Sequence, residues 1–524
     1  MILVTVSIAI AILAIVDVAQ ALSGGQEALN GWLTVLWSDE SNGTSSGPFF
    51  HLTEENGNTT PLSFDEGVTK MPGGVLSLNG RYVGVQGARA SSRAQGQGEA
   101  PPPFLVTSIS LAQSSLTQAL EGDAQPLVSG SRPWVSITCK FSDFAVEPKN
   151  LAYFQGMYSN VKPGLDHYWR ELSYNTANVA GSSASGWFVL PQPEIYYNPT
   201  NTLGGADLNK LATDCIAAAN ASVNFSLYSG INMMFNTDFD NGYAWGGTRY
   251  MTLDGVSKVW SITWEPPWGY ADITVIAHEM GHGFGLPHSS GSYGQTYDNQ
   301  WDVMSDTWSN CSRSEDALYG CLGQQTISYH QDMLGWIPAE QKYLVAQNTQ
   351  VNLTMEQLAL PVTGNYRMVR IPIAGSSSHF YTVEVRRQTG YDYKLPGQAV
   401  IIHEVDTSRS RPAYVIDADG NGSTGDAGAM WAVGEVFSDS VNKIYVKVLS
   451  ATATGFKLNI RVGNLVFGDV DLSGAVDLKD VIVLLQTMSG PAPAGTVSLN
   501  ADVDEDGKLG LAEAIFTLQE LATP

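Results

Sequence analysis

The sequence predicts a multidomain chain in which an α/β block is flanked by all-β domains and followed by a small all-α module. Three observations carry this. The length of 524 residues exceeds what one ordinary core accommodates, so roughly two to four domains are expected. Short β-type runs fill the first quarter and return after residue 346, whereas the stretch between them mixes such runs with apolar residues at helical spacing. The last stretch changes character again, into acidic loops that each precede a short apolar helix.

Residues 1–21, MILVTVSIAIAILAIVDVAQA, form an apolar run ending in Ala19-Gln20-Ala21, a small-x-small cleavage pattern, and are expected to be a signal peptide. The run lacks a basic start. A membrane anchor is the alternative, but Asp17 interrupts a span already marginal for a bilayer, and no other stretch is apolar enough to cross one. The mature chain is expected to start near Leu22 and to be extracellular, without a stable membrane anchor.

Residues 22–130 place GWLTVLW, GVLSLNGRYVGVQGA and PFLVTSISLA between Gly, Asn and Ser clusters, which predicts a small β domain. Its role is open between propeptide, inhibitor and surface-binding domain, and a processing site near residues 93–133 would fit the first. SGSRP (129–133) reads as a boundary. Over 134–345, strands such as WVSITCKF, GINMMFN and KVWSITW mix with helical patterns in ADLNKLATDCIAAANA and DITVIAHEMGHGFG, giving the α/β block. Over 346–463, FYTVEVRR, QAVIIHEV, NKIYVKVLS and FKLNIRV predict a β-sandwich-like domain. Residues 466–524 form the all-α module.

Four cysteines fit an oxidising compartment. Cys311 and Cys321 lie close together on a polar stretch, so a local disulfide is expected, leaving Cys139 and Cys215 to pair. A free Cys139 that blocks a metal is the alternative, although WVSITCKF looks like a buried strand.

The segment His278-Glu279-Met280-Gly281-His282-Gly283-Phe284-Gly285-Leu286-Pro287-His288 concentrates the chemistry. On a helix, His278 and His282 are four residues apart and share one face, so both can reach one ion. Gly285 can take a positive φ and end the helix, Pro287 discourages its continuation, and the turn can return His288 as a third ligand. Zinc takes neutral imidazole nitrogens, and a catalytic zinc keeps three protein ligands and one water. Glu279 then projects beside the metal as the candidate general base. Asp272 precedes the apolar run as a candidate N-cap. A lone histidine on an apolar helix face is ordinarily a satisfied core residue. Three His, one Glu and one Gly in this pattern arise by chance in such a chain with a probability on the order of 10⁻⁵. No convincing Ser or Cys nucleophile triad is present, and no organic cofactor site stands out.

These residues resemble the metzincin clan of metallopeptidases, whose pattern is H-E-x-x-H-x-x-G-x-x-H with a methionine turn downstream. Met304, in Trp301-Asp302-Val303-Met304-Ser305, supplies the candidate turn. Within the clan, GLDHYWRELSYN, GWFVLP, YDNQWDVMSD and YHQDMLGWIP look most like the immune-inhibitor-A-like secreted peptidases, over residues 134–460. The resemblance implies a metzincin-like catalytic domain, one catalytic Zn²⁺, and a protein or peptide substrate.

Two acidic loops follow. Asp469, Asp471, Ser473, Ala475, Asp477 and Asp480 form the first; Asp502, Asp504, Asp506, Lys508 and Glu513 form the second. Oxygen ligands at positions 1, 3, 5 and 12, a backbone carbonyl at 7 (Ala475, Lys508) and glycine at 6 (Gly474, Gly507) describe a calcium loop. The second loop matches D-x-D-x-D-G-x₅-E fully; the first carries Ser473 at position 5 and Asp480 at 12, so weaker binding is expected there. The pair resembles a dockerin, which implies two Ca²⁺ and a cohesin-like partner. Leu478-Lys479 and Leu511-Ala512, where dockerins read that partner, do not duplicate each other, and a free-standing EF-hand pair is the alternative. A third acidic stretch, Asp417 to Gly422, reads as a hairpin turn in preference to a calcium loop, because position 12 is not acidic.

The net charge of −24 argues against nucleic acid or an anionic membrane as partner. An active zinc endopeptidase is the expectation. The rival is a binding or scaffold protein docked through its calcium module, with a vestigial zinc domain.

Overall fold

The computed structural model describes residues 26–40, 45–89, 103–114, 128–201, 204–293, 295–306, 308–311, 315–463, 468–471, 473, 475–490, 497, 502–503 and 508–522. The expected signal peptide at 1–21 lies outside these residues. So do Gly474, Asp504, Asp506 and Gly507 of the acidic loops. The described chain is mainly β and multidomain, and it divides into two compact units. One holds the chain up to Ser289 with Val303–Gly323 and Thr407–Pro412; the other holds Ser290–Asp302, Gln324–Asp406 and the chain from Ala413 onward.

In the first unit a ten-stranded sheet runs through both expected N-terminal segments. The N-terminal segment contributes β1 (Glu27–Glu40), β2 (Ser45–Thr53), β3 (Thr59–Phe64), β4 (Tyr82–Arg89) and β5 (Phe104–Leu111). After a two-residue β6 (Gly130–Ser131) come β7 (Trp134–Lys140), the short β8 (Ala177–Asn178), β9 (Ser183–Val189), β10 (Gly230–Phe235), β11 (Tyr243–Leu253) and β12 (Val256–Glu265). The sheet order is β2-β3-β5-β4-β1-β11-β12-β10-β7-β9. β12, β10, β7 and β9 run parallel to one another, whereas β11 runs antiparallel to β12 and β1 antiparallel to β11. The N-terminal β segment is therefore continuous with the α/β sheet through β1.

Alternation builds the core beneath this sheet. Val135, Ile137 and Cys139 of β7, Ile231, Met233 and Phe235 of β10, and Trp260, Ile262 and Trp264 of β12 share one cluster, because every second residue of a strand faces the same side. Leu211, Cys215, Ile216 and Ala219 of the Leu208–Ala219 helix pack on it at helical spacing. Cys139 and Cys215 are disulfide-bonded, as are Cys311 and Cys321, so Cys139 is no free thiol. A second cluster, with Leu33, Leu52, Val83, Val85, Phe104 and Val106, fills the N-terminal strands.

Asp272 occupies the N-cap position of the Ile273–Gly283 helix, but its side chain makes no cap hydrogen bond. Its carboxylate instead accepts the backbone N–H of Cys321 at 2.7 Å, a partner brought in by the chain beyond the helix.

In the second unit, a six-stranded sheet that includes His379–Arg386 and Ala399–Asp406 and a four-stranded sheet that includes Ile444–Ala451 and Gly455–Val462 share one core. Val383, Val385, Val400 and Ile402 of the first sheet meet Val446, Val448, Leu458 and Ile460 of the second, a sandwich packing. The Asp417–Gly422 stretch is not the hairpin turn expected. The chain leaves the Ala413–Val415 strand and enters a short 3₁₀ turn at Ala427–Ala429, and Ala418 N–H reaches Gly428 O at 2.9 Å. Helices Leu478–Ser489 and Leu511–Ala522 follow the acidic loops and enclose Val470, Val483, Leu484 and Ala514. Among the described residues no helix is long and apolar enough to cross a membrane.

Candidate metal centre

The Ile273–Gly283 helix is buried along its whole length, and its end places the histidines. Gly285 has φ +99°, the left-handed conformation that costs glycine least. Leu286 N–H bonds to Gly281 O at 3.0 Å and Gly285 N–H to His282 O at 2.9 Å, the paired bonds of a Schellman stop. That stop turns the chain back, and His288 arrives beside His278 and His282.

The three Nε2 atoms lie 3.0–3.1 Å from one another. His278 Nδ1 is 2.7 Å from Val303 O and His282 Nδ1 is 2.7 Å from Leu286 O. A carbonyl oxygen only accepts, so each of these Nδ1 atoms carries the proton and each Nε2 presents a lone pair to the shared centre. Neutral rings fit this burial, which pushes His282 down to about 3 and lowers His288 as well. Lone pairs so close repel unless a cation lies among them. Tetrahedral zinc with Zn–N near 2.05 Å would set its ligand nitrogens about 3.3 Å apart.

Glu279 is buried next to the centre, under strand β11. A Cβ on Gly246 of β11 would lie 2.5 Å from both Glu279 O and Oε2, so the missing side chain makes room for the carboxylate. Burial, then the nearby charges of Asp39 and Glu265, raise the Glu279 carboxyl well above the ordinary range. Glu265, also buried, is pushed up to about 8 by burial. Met304 lies against the helix: a Cβ on Gly281 would meet its Sδ at 2.4 Å. The structure thus brings together His278, Glu279, His282, His288, Gly285 and Met304.

One member of the cluster has no counterpart in the motif. Asp39, near the end of β1, sets Oδ1 2.9 Å from His288 Nε2 and 3.3 Å from His278 Nε2, and Oδ2 3.6 Å from His282 Nε2. The four residues can each offer one ligand atom to a common point. Trp37, two residues earlier, stacks on the His282 ring at 5.2 Å and meets His288 edge-on at 4.8 Å. Two acids ending the apolar run GWLTVLWSDE were the only sequence signal, since a buried carboxylate needs a partner.

In the acidic tail, Asp469, Asp471 and Asp480 converge on one point. Asp480 also accepts Val470 N–H at 2.7 Å and Asp477 N–H at 2.8 Å, and Asp477 caps the following helix through Lys479 N–H at 2.6 Å. Ser473 N–H bonds to Asp469 at 2.9 Å, and its hydroxyl to Ala475 O at 3.0 Å. In the second loop Glu513 accepts Val503 N–H at 3.3 Å and Gly510 N–H at 2.6 Å, while Asp502 is buried. Asp417 and Asp419 meet Asp426, which the sequence pattern did not single out.

No protein-family model matches the chain, and no curated protein matches it. Among solved structures, catalytically inactive OgpA from Akkermansia muciniphila, in complex with an O-glycopeptide substrate, aligns over 56% of this chain and 88% of its own, at 8% identity and a TM-score of 0.24. Wild-type OgpA aligns over 65% and 94%, at 10% identity and a TM-score of 0.23.

Proposed function

We propose that the chain is a secreted, zinc-dependent endopeptidase of metzincin type. The observation that carries this is the convergence of three imidazole Nε2 atoms beside a buried glutamate. His278, His282 and His288 would hold the zinc. When bound, zinc polarises a scissile carbonyl and brings water to nucleophilic form near neutral pH. Val303 O and Leu286 O fix two of the imidazole tautomers and ring directions, so the ligands are in place before any substrate arrives. Glu279, buried beside the three histidines, would accept the proton from the attacking water and return it to the leaving amine. The low-dielectric surroundings strengthen each of these interactions.

The test is casein hydrolysis by the zinc-loaded chain after limited proteolysis with a serine protease that is then quenched. The wild type should cleave, and 1,10-phenanthroline should abolish cleavage. Glu279→Gln should bind zinc one-to-one while losing about 10²–10⁴-fold in rate. Equal hydrolysis by the variant would overturn Glu279 as general base, and absence of chelator-sensitive hydrolysis by the wild type would leave the scaffold reading standing.

We further infer that the two C-terminal loops bind Ca²⁺. Support comes from the convergence of Asp469, Asp471 and Asp480 and from the matching tie of each position-12 carboxylate to the N–H of the residue after position 1. Secretion is supported by two disulfides and by the apolar N-terminal run.

A further inference from the structure

β1 is the strand on which the candidate centre closes. Its last five residues pair with β11 from Leu36↔Gly247 to Glu40↔Tyr243, while its first half pairs with β4. The approach is close: a Cβ on Gly247 would meet Val35 O at 2.1 Å. Thr248 reinforces it, since its hydroxyl takes Val35 N–H at 3.3 Å and donates to Asn79 at 2.7 Å. From Val35 to Glu40 every residue is buried, including Ser38, Asp39 and Glu40. Two acids and a hydroxyl on the buried half of a strand are costly unless something at the end of it binds them.

We propose that Asp39 is a fourth protein ligand of the zinc centre, and that by filling the position a water needs it holds the full chain inactive. This rests on the zinc reading above. A catalytic zinc keeps one site open, whereas one with four protein ligands is closed. Asp39 sits within ligand reach of all three histidine Nε2 atoms, and its charge faces Glu279 in the same buried space. Trp37 covers the exposed sides of two ligand rings. β1 also takes the β11 edge, along which an extended peptide would add as a strand. The segment therefore excludes the nucleophile and the substrate together. Opening the centre requires lifting β1 from β11, which cleavage of the chain between the N-terminal strands and β7 permits.

The probe is Co²⁺ in the full-length chain, read by its visible absorption, with azide as a small competing ligand. Wild type should show a tetrahedral spectrum that azide leaves unchanged. Asp39→Ala should bind Co²⁺ at least about 10-fold more weakly and shift its spectrum saturably with azide. Asp39→Asn, which keeps the side-chain volume, should shift the spectrum without disturbing the near-ultraviolet dichroism of the fold. Intact zinc-loaded chain should hydrolyse casein at under about a hundredth of the rate seen after limited proteolysis. An unchanged Co²⁺ spectrum and affinity in both variants, or azide binding to wild type, overturns the proposal, as does equal casein hydrolysis before and after proteolysis. Failure of wild type and variants alike to take up Co²⁺ overturns the zinc reading itself, and this proposal with it.

Discussion

Among single residues, Gly281 shows how little slack the site helix has. It lies one position before His282 and three after His278, and its missing side chain is where Met304 Sδ sits. Gly281→Ala asks either the helix or Met304 to move, and overpacking of this kind costs about 1–3 kcal/mol. Urea denaturation should show that loss, and the zinc stoichiometry should fall with it as His278 and His282 are displaced. Gly246 makes the matching allowance on the strand side of Glu279. Both glycines have a packing reason that sequence patterns do not contain: a helical or strand glycine looks the same whether or not a neighbour needs its space. Gly285 was legible, because the turn after His282 must adopt a positive φ for His288 to return.

Among elements, the two acidic loops and their helices form the clearest unit. Asp480 and Glu513 each tie the start of their loop to the first turn of the following helix. With Ca²⁺ bound, loop carboxylates are neutralised; without it, Asp469, Asp471 and Asp480 repel across a short distance. Chelation with EGTA should therefore make the Leu478–Ser489 and Leu511–Ala522 helices sensitive to proteolysis, with protection restored by Ca²⁺ and not by Mg²⁺ at equal concentration. Mass mapping of the cleavage sites checks this; identical patterns with and without EGTA would count against calcium binding. The Leu208–Ala219 and Ile273–Gly283 helices and strands such as Trp134–Lys140 were legible as elements because periods of 2 and 3.6 are local properties, whereas Val75–Leu78, inside a run read as β-type, folds as a 3₁₀ turn. The sandwich pairing was legible only in type: strand order and register depend on contacts between distant segments.

For the whole molecule, acid is the condition to examine. The net charge is −24 and the sequence pI about 4.6, so carboxylates dominate the surface at neutral pH. A buried group in the second unit sets an earlier limit. His403 is lowered to about 3, first by burial and then by the charges of Arg386 and His330, against the opposing pull of Asp302. Asn299 faces it at 3.2 Å. A folded value below the unfolded 6.5 means that the neutral ring contributes stability above pH 6.5, and that this is lost as pH falls toward 3. Between pH 6.5 and 5 the loss is about 2 kcal/mol. Replacing the ring with a side chain that does not titrate, His403→Gln, should flatten the stability curve over this range. Urea midpoints at pH 7 and 5 measure it, and equal slopes in both proteins would refute the assignment.

The sequence alone picked out the candidate histidine ligands, the candidate general base and the turn that gathers them, because all lie within eleven residues of a helix and its stop. It also marked the calcium-loop pattern, another device of short range. Tertiary structure alone decided that β1 joins the N-terminal strands to the α/β sheet and that Asp39 enters the histidine cluster. Asp39 lies 239 residues before His278. No spacing rule spans such a distance, and only the folded sheet, with β1 laid along β11, places that carboxylate against the three rings.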